Sequence, residues 1–65
     1  MTIEQAYQAM HNTYKVTHKK LPIEIDYLQL VIMTEVIDDC ANIVDFDKLR
    51  QNPTFANGWE LYEVK

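Results

Sequence analysis

Two histidines, His11 and His18, one cysteine, Cys40, and a run of carboxylates are the residues here that could hold a metal or catalyse a reaction. Spacing removes most of that chemistry. On a helix, which rises about 1.5 Å per residue, His11 and His18 stand about 10 Å apart, whereas each ligand of a zinc ion lies about 2 Å from the metal. A metal shared within one chain is therefore not expected, and both histidines are expected on the polar side of a first helix. Cys40 follows Asp38 and Asp39, whose negative charge raises a thiol pKa, and it falls late in a predicted helix, where the dipole works in the same direction. It reads as a packing residue rather than a nucleophile. Asp45-x-Asp47 opens like a calcium loop, but Leu49 stands where a third oxygen is required and Arg50 where the turn glycine belongs, so an EF-hand is excluded. No Ser-His-Asp spacing, GxGxxG or GK[ST] motif is present. Neither an enzyme, a cofactor nor a metal site is expected.

What remains is binding. Residues 21–47 carry Glu24, Asp26, Glu35, Asp38, Asp39, Asp45 and Asp47 without one Lys or Arg, and such a block can present an acidic face to a basic partner. The expected partner-binding set is Glu35, Asp38, Asp39, Asp45 and Asp47, with Trp59 and Tyr62 as aromatic anchors of the kind that dominate interfaces. A row of carboxylates can also imitate phosphates and occupy the basic groove of a nucleic-acid-handling protein. The bland alternative is that acidic surface residues only keep the protein soluble. A second reading gathers Tyr7, His11, Tyr14, Lys15, His18, Lys19 and Lys20 into a pocket between subunits, where they would stack on and neutralise a nucleotide-like ligand. Direct nucleic-acid binding is not expected, because three lysines face a far larger acidic block. In size, acidity and absence of catalytic motifs the chain is similar to the small inhibitors encoded by phages and mobile elements, which implies a protein that binds and modulates or inhibits another protein.

The elements that would position these residues follow from periodicity. Thr2 and Gln5 fit a capping box, and Ile3, Tyr7, Met10 and Tyr14 recur at helical spacing, predicting a first helix that ends between residues 16 and 20, ahead of Pro22. Residues 23–42 begin with strand-like alternation and are rich in β-branched types. Their length without a Gly, a Pro or a turn signal exceeds a typical strand, so the expectation is a second long helix, antiparallel to the first. Its wheel has two apolar stripes, and the second, with Ile25, Leu28, Ile32 and Val36, is assigned to an oligomer interface. Asp45 would cap a short third helix over 46–51, Asn57-Gly58 signals a turn, and residues 59–64 read as an extended or β segment. The expected fold is mainly α, with an α+β arrangement as the alternative if residues 23–37 form strands.

Length and composition bound all of this. The 65 residues, 48% hydrophobic and 25% charged with a net charge of −4, amount to a single small domain, residues 1–65, with one small core. A single Cys excludes an internal disulfide framework. Small size and the second apolar stripe lead to the expectation of a homo-oligomer. With no basic leader, no long apolar run and no partner for Cys40, a cytoplasmic location away from any membrane is expected.

Overall fold

Thr2 and Gln5 do what their types predict. The Thr2 amide donates to Gln5 Oε1 at 2.9 Å and the Gln5 amide to Thr2 Oγ1 at 3.2 Å, starting helix α1, Ile3–His11. The helix stops well before residue 16. Tyr14 N–H bonds to Ala9 C=O and Thr13 N–H to Met10 C=O, both at 3.1 Å, which is the Schellman closure. Its left-handed position is held by Thr13, at φ 69°, where glycine is usual. A β-branched residue in that conformation gives no warning in the sequence.

The computed structural model describes residues 1–31 and 35–63. After α1 come β1 (Val16–His18), β2 (Leu28–Val31), β3 (Glu35–Asp38), β4 (Ile43–Val44), α2 (Phe46–Gln51), a 3-10 turn (Pro53–Phe55) and β5 (Trp59–Leu61). The strands form one five-stranded sheet in the order β4-β3-β2-β1-β5, with every neighbouring pair antiparallel. None of the described helices is long and apolar enough to cross a membrane.

The mainly α expectation is thus corrected to a sheet-rich fold with one helix and a second short one. Residues 23–42 hold β2 and β3 in place of a long helix, in the register Leu28↔Asp38, Gln29↔Ile37, Leu30↔Val36 and Val31↔Glu35. Only Ile32, Met33 and Thr34 separate these two strands, and none of them is a residue type that announces a reversal. Leu28 and Val36 of the second predicted stripe belong to two different strands. Leu28, Leu30, Val36 and Asp38 lie on one face of the sheet, while Gln29, Val31, Glu35 and Ile37 lie on the other. With that helix goes the two-faced argument for an oligomer: Leu28 and Val36 are core residues at 0% and 2% exposure. Ile25 packs half-buried against the core, and Ile32 lies outside the described residues.

One face of the sheet carries the core. Val16, Leu28, Val36 and Trp59 point into it and are covered by Ile3, Ala6 and Met10 of α1, by Phe46 of α2 and by Phe55 of the 3-10 turn. Trp59, expected as an anchor for a partner, is instead the largest fully buried side chain. Its indole N–H donates to Phe55 C=O at 2.7 Å, so burial leaves no polar atom unsatisfied. Met1 runs beside β5, accepting from Trp59 N–H at 3.1 Å and donating from its amine to Trp59 C=O at 2.8 Å.

Two backbone positions offer a direct check. Thr13 occupies a glycine conformation, and Gly58 sits at φ 92° with His18 Nε2 only 3.1 Å from where a Cβ would stand. Thr13→Gly is expected to stabilise the fold by roughly 0.5–1 kcal/mol, the left-handed cost exceeding the extra chain entropy of glycine. Gly58→Ala is expected to destabilise it by at least about 1 kcal/mol. Urea unfolding of both variants measures the pair, and equal midpoints for all three proteins would contradict it.

Candidate functional site

A concavity lies where the chain leaves β4 and enters α2. Asp45 makes that transition: its Oδ1 accepts from Lys48 N–H at 3.3 Å and caps the helix. Phe46 then turns inward to stack on Tyr7 of α1, with ring centroids 5.2 Å apart. One turn on, the Arg50 guanidinium lies 4.7 Å above the Tyr7 ring and 5.4 Å from Phe46. Its Nε meets Glu4 Oε1 at 3.0 Å, and a terminal nitrogen reaches Asp47 Oδ1 at 3.4 Å. These ion pairs are solvent-facing and individually weak, but together with the two rings they hold Arg50 in place.

The resulting cleft has a volume of about 600 Å³. Tyr7, Val36, Ile43, Val44 and Phe46 supply its apolar lining, and Glu35, Asp45, Asp47 and Arg50 its charged groups, Arg50 being paired with Asp47 and Glu4. Ile43 is 73% exposed. An open cleft with an apolar floor and a carboxylate rim accommodates a side chain with an aliphatic stem and a cationic head.

Three of the expected partner-binding residues, Glu35, Asp45 and Asp47, come together here. The others do not. Tyr62 lies on the uncovered side of the sheet, its ring 5.1 Å from Tyr27, and Trp59 is in the core. Asp38 is buried at 6% exposure and organises the β3–β4 turn, accepting from Cys40 N–H at 2.8 Å, Asn42 N–H at 3.0 Å and the Asn42 side-chain amide at 3.4 Å. Asp39 belongs to the same turn. Ligand-capable atoms of Asp38, Asp39 and Cys40 lie within 4.8 Å of one another, but the Asp38 oxygens are already committed to the turn.

The nucleotide-like constellation is dispersed. Tyr7 and His11 meet edge to face at 4.7 Å on α1, on the covered side of the sheet. Lys15 instead places its ammonium 4.7 Å over Tyr27, on the uncovered side. Tyr14 is exposed, and Lys19 and Lys20 lie in the exposed turn after β1. His18, expected on an exposed helical face, is buried in β1 against Phe55 and Trp59. Its Nε2 lies 2.7 Å from Asn57 C=O, and Nδ1 accepts from Lys20 N–H at 3.0 Å. A carbonyl can only accept and an amide can only donate, so these bonds specify the neutral ring protonated on Nε2. The residues missed from the sequence are Arg50, Phe46, Ile43 and Val44. Of these only Arg50 carried a local signal, its spacing of three from Asp47 on a capped helix.

Among the described residues, Asp38 and Cys40 have displaced ionisation. The Asn42 backbone N–H holds the Asp38 carboxyl below its ordinary 3.8; burial works against it, and the Cys40 N–H and Asn42 side-chain amide add to the lowering. A depressed carboxylate stabilises the fold fully above the unfolded value and ceases to do so as pH falls through the folded one. The advantage of the wild type over Asp38→Asn should therefore be complete above 3.8 and shrink as pH falls further, measured by urea unfolding across that range. An advantage that does not change with pH would refute the assignment. Cys40 is exposed, yet its thiol pKa is raised, first by the Asp39 charge, then by desolvation, then by Asp38 and Asp26. Alkylation by iodoacetamide near neutral pH should be slower than for a free thiol, and Asp39→Asn should accelerate it severalfold. Equal rates would remove Asp39 as the cause.

Compared with known proteins, the chain matches no family model, no curated protein and no solved structure.

Proposed function

We propose that this is a small non-enzymatic interaction protein that binds another protein and modulates or inhibits it. The observation that carries the reading is the carboxylate-rimmed cleft between β4 and α2. Its lining is partly apolar, and Glu35, Asp45 and Asp47 outnumber Arg50, which pairs with Asp47 and with Glu4. Such a surface complements a basic, partly apolar segment, and nucleic-acid-handling proteins are a class that displays basic grooves. A phosphorylated ligand is the weaker reading, because the same carboxylates repel phosphate and the tyrosine, histidine and lysine side chains do not converge. A cytoplasmic setting belongs to the proposal through the free thiol of Cys40.

The test is capture by the immobilised protein from its own kind of cell, followed by native mass spectrometry. Wild type should retain one larger protein in stoichiometric amount. The double variant Glu35→Lys, Asp47→Lys should retain at least about tenfold less while still folding cooperatively by circular dichroism. Undiminished capture by the variant would remove the cleft as the binding surface. A small-molecule adduct in place of a protein would favour the ligand reading.

A further inference from the structure

The sheet has two edges, and they are finished differently. At the β5 edge Met1 already bonds both to the N–H and to the C=O of Trp59. At the β4 edge the strand is two residues long and pairs only inward, through Val36↔Val44 and Ile37↔Ile43. The ladder's phase follows from the turn. Asp38 N–H donates to Asn42 C=O at 3.1 Å, so Asp38 and Asn42 form a hydrogen-bonded pair. Antiparallel ladders alternate, so Val36 and Val44 form the next such pair, and Ile37 and Ile43 between them do not. The N–H and C=O of Ile43 are therefore directed away from β3. In the sheet order β4 is terminal, so among the described strands none lies on that side to receive them.

We infer that this edge takes up an extended, basic segment of the partner protein as an added strand, one Lys or Arg of which enters the cleft among Glu35, Asp45 and Asp47. The inference rests on the protein-binding reading above and specifies how the partner is held. Three features converge on one place: an outward donor and acceptor on Ile43, an exposed Ile43 side chain at 73% to cover, and a carboxylate rim immediately where the strand ends. Backbone pairing supplies affinity with little regard to sequence, and the alternate side chains supply selection. Charge chooses between a foreign strand and a second copy. Edge-to-edge pairing of two copies through β4 would bring two acidic segments, each carrying Asp39, Asp45 and Asp47, to one seam, whereas a basic strand is attracted by them.

The probe is a short end-blocked peptide of alternating lysine and valine, with a glutamate–valine peptide of equal length as control. Binding is followed by nuclear magnetic resonance, together with amide exchange of Ile43. The lysine peptide should bind, protect the Ile43 amide, and lose at least about tenfold in affinity in Glu35→Lys, Asp47→Lys. Ile43→Pro should abolish binding; its lost N–H is not part of the β3 ladder, and proline is tolerated at such edge positions. Exchange at Ile43 in the wild type decides the matter even if that variant folds poorly. The inference is overturned if the lysine peptide does not bind, or if it binds without protecting Ile43. It is equally overturned if the Ile43 amide of the free protein becomes protected as concentration rises, which would assign the edge to a second copy. A failed peptide with charge-sensitive capture would remove this inference and leave the protein-binding reading standing. A bound peptide with no captured protein would do the reverse.

Discussion

The docking of Trp59 is the contact on which the rest of the structure depends. A chain of 65 residues cannot bury much surface through local contacts, so its ends must be brought into the same core. Trp59 does this from a three-residue strand. Its indole fills the space under α1, its N–H satisfies Phe55, and its backbone joins Met1 on the outer side. On the inner side β5 pairs with β1 through His18↔Trp59 and Val16↔Leu61. Leaving out Trp59 would detach β5, uncover His18 and leave the start of α1 without its anchor. The bend before β5 delivers it, and Gly58 suits that place because its φ is 92° and His18 Nε2 lies 3.1 Å from where a Cβ would stand.

That dependence explains which polar groups are used up by folding. His18 and Asp38 are the buried polar side chains among the described residues, and each spends its bonding capacity on backbone groups of adjacent turns. His18 ties the turn after β1 to the turn before β5, while Asp38 closes the hairpin between β3 and β4. A buried polar group is costly unless satisfied, so types that suggest chemistry in a sequence are often the ones a small core needs for its turns. The groups left over lie on the surface, and Glu35, Asp45, Asp47 and Arg50 gather at the cleft beside α2.

Legibility followed locality. The capping box, the Asp45 cap and the helix over 46–51 were readable because each depends on residues within one turn of one another. The end of α1 was not, because Thr13 fills a position that normally announces itself with glycine. The larger error, a helix over 23–42, came from weighing length above β-branching. The alternation Leu28, Leu30 and Val36, Asp38 was present, but the reversal between the strands carries no turn residue, and strand preference is decided by cross-strand partners that a sequence does not display. The site was half legible. Its carboxylates stood in an obvious acidic block, while Tyr7 and Arg50, which stack there, are 43 positions apart in the chain and meet only through the fold.

The acidic block then acquires a structural meaning that composition alone does not supply. Small antiparallel sheets expose edges, and an exposed edge invites aggregation unless it is blocked, shortened or charged. This protein blocks the β5 edge beside Trp59 with Met1, and at β4 it uses two residues of strand followed at once by Asp45 and Asp47. Carboxylates so placed repel a second copy of the same edge and attract a cationic strand. On the protein-binding proposal, the charge that would disfavour pairing of two such edges in this −4 chain would also favour a cationic strand, so that one feature of the edge would serve both ends.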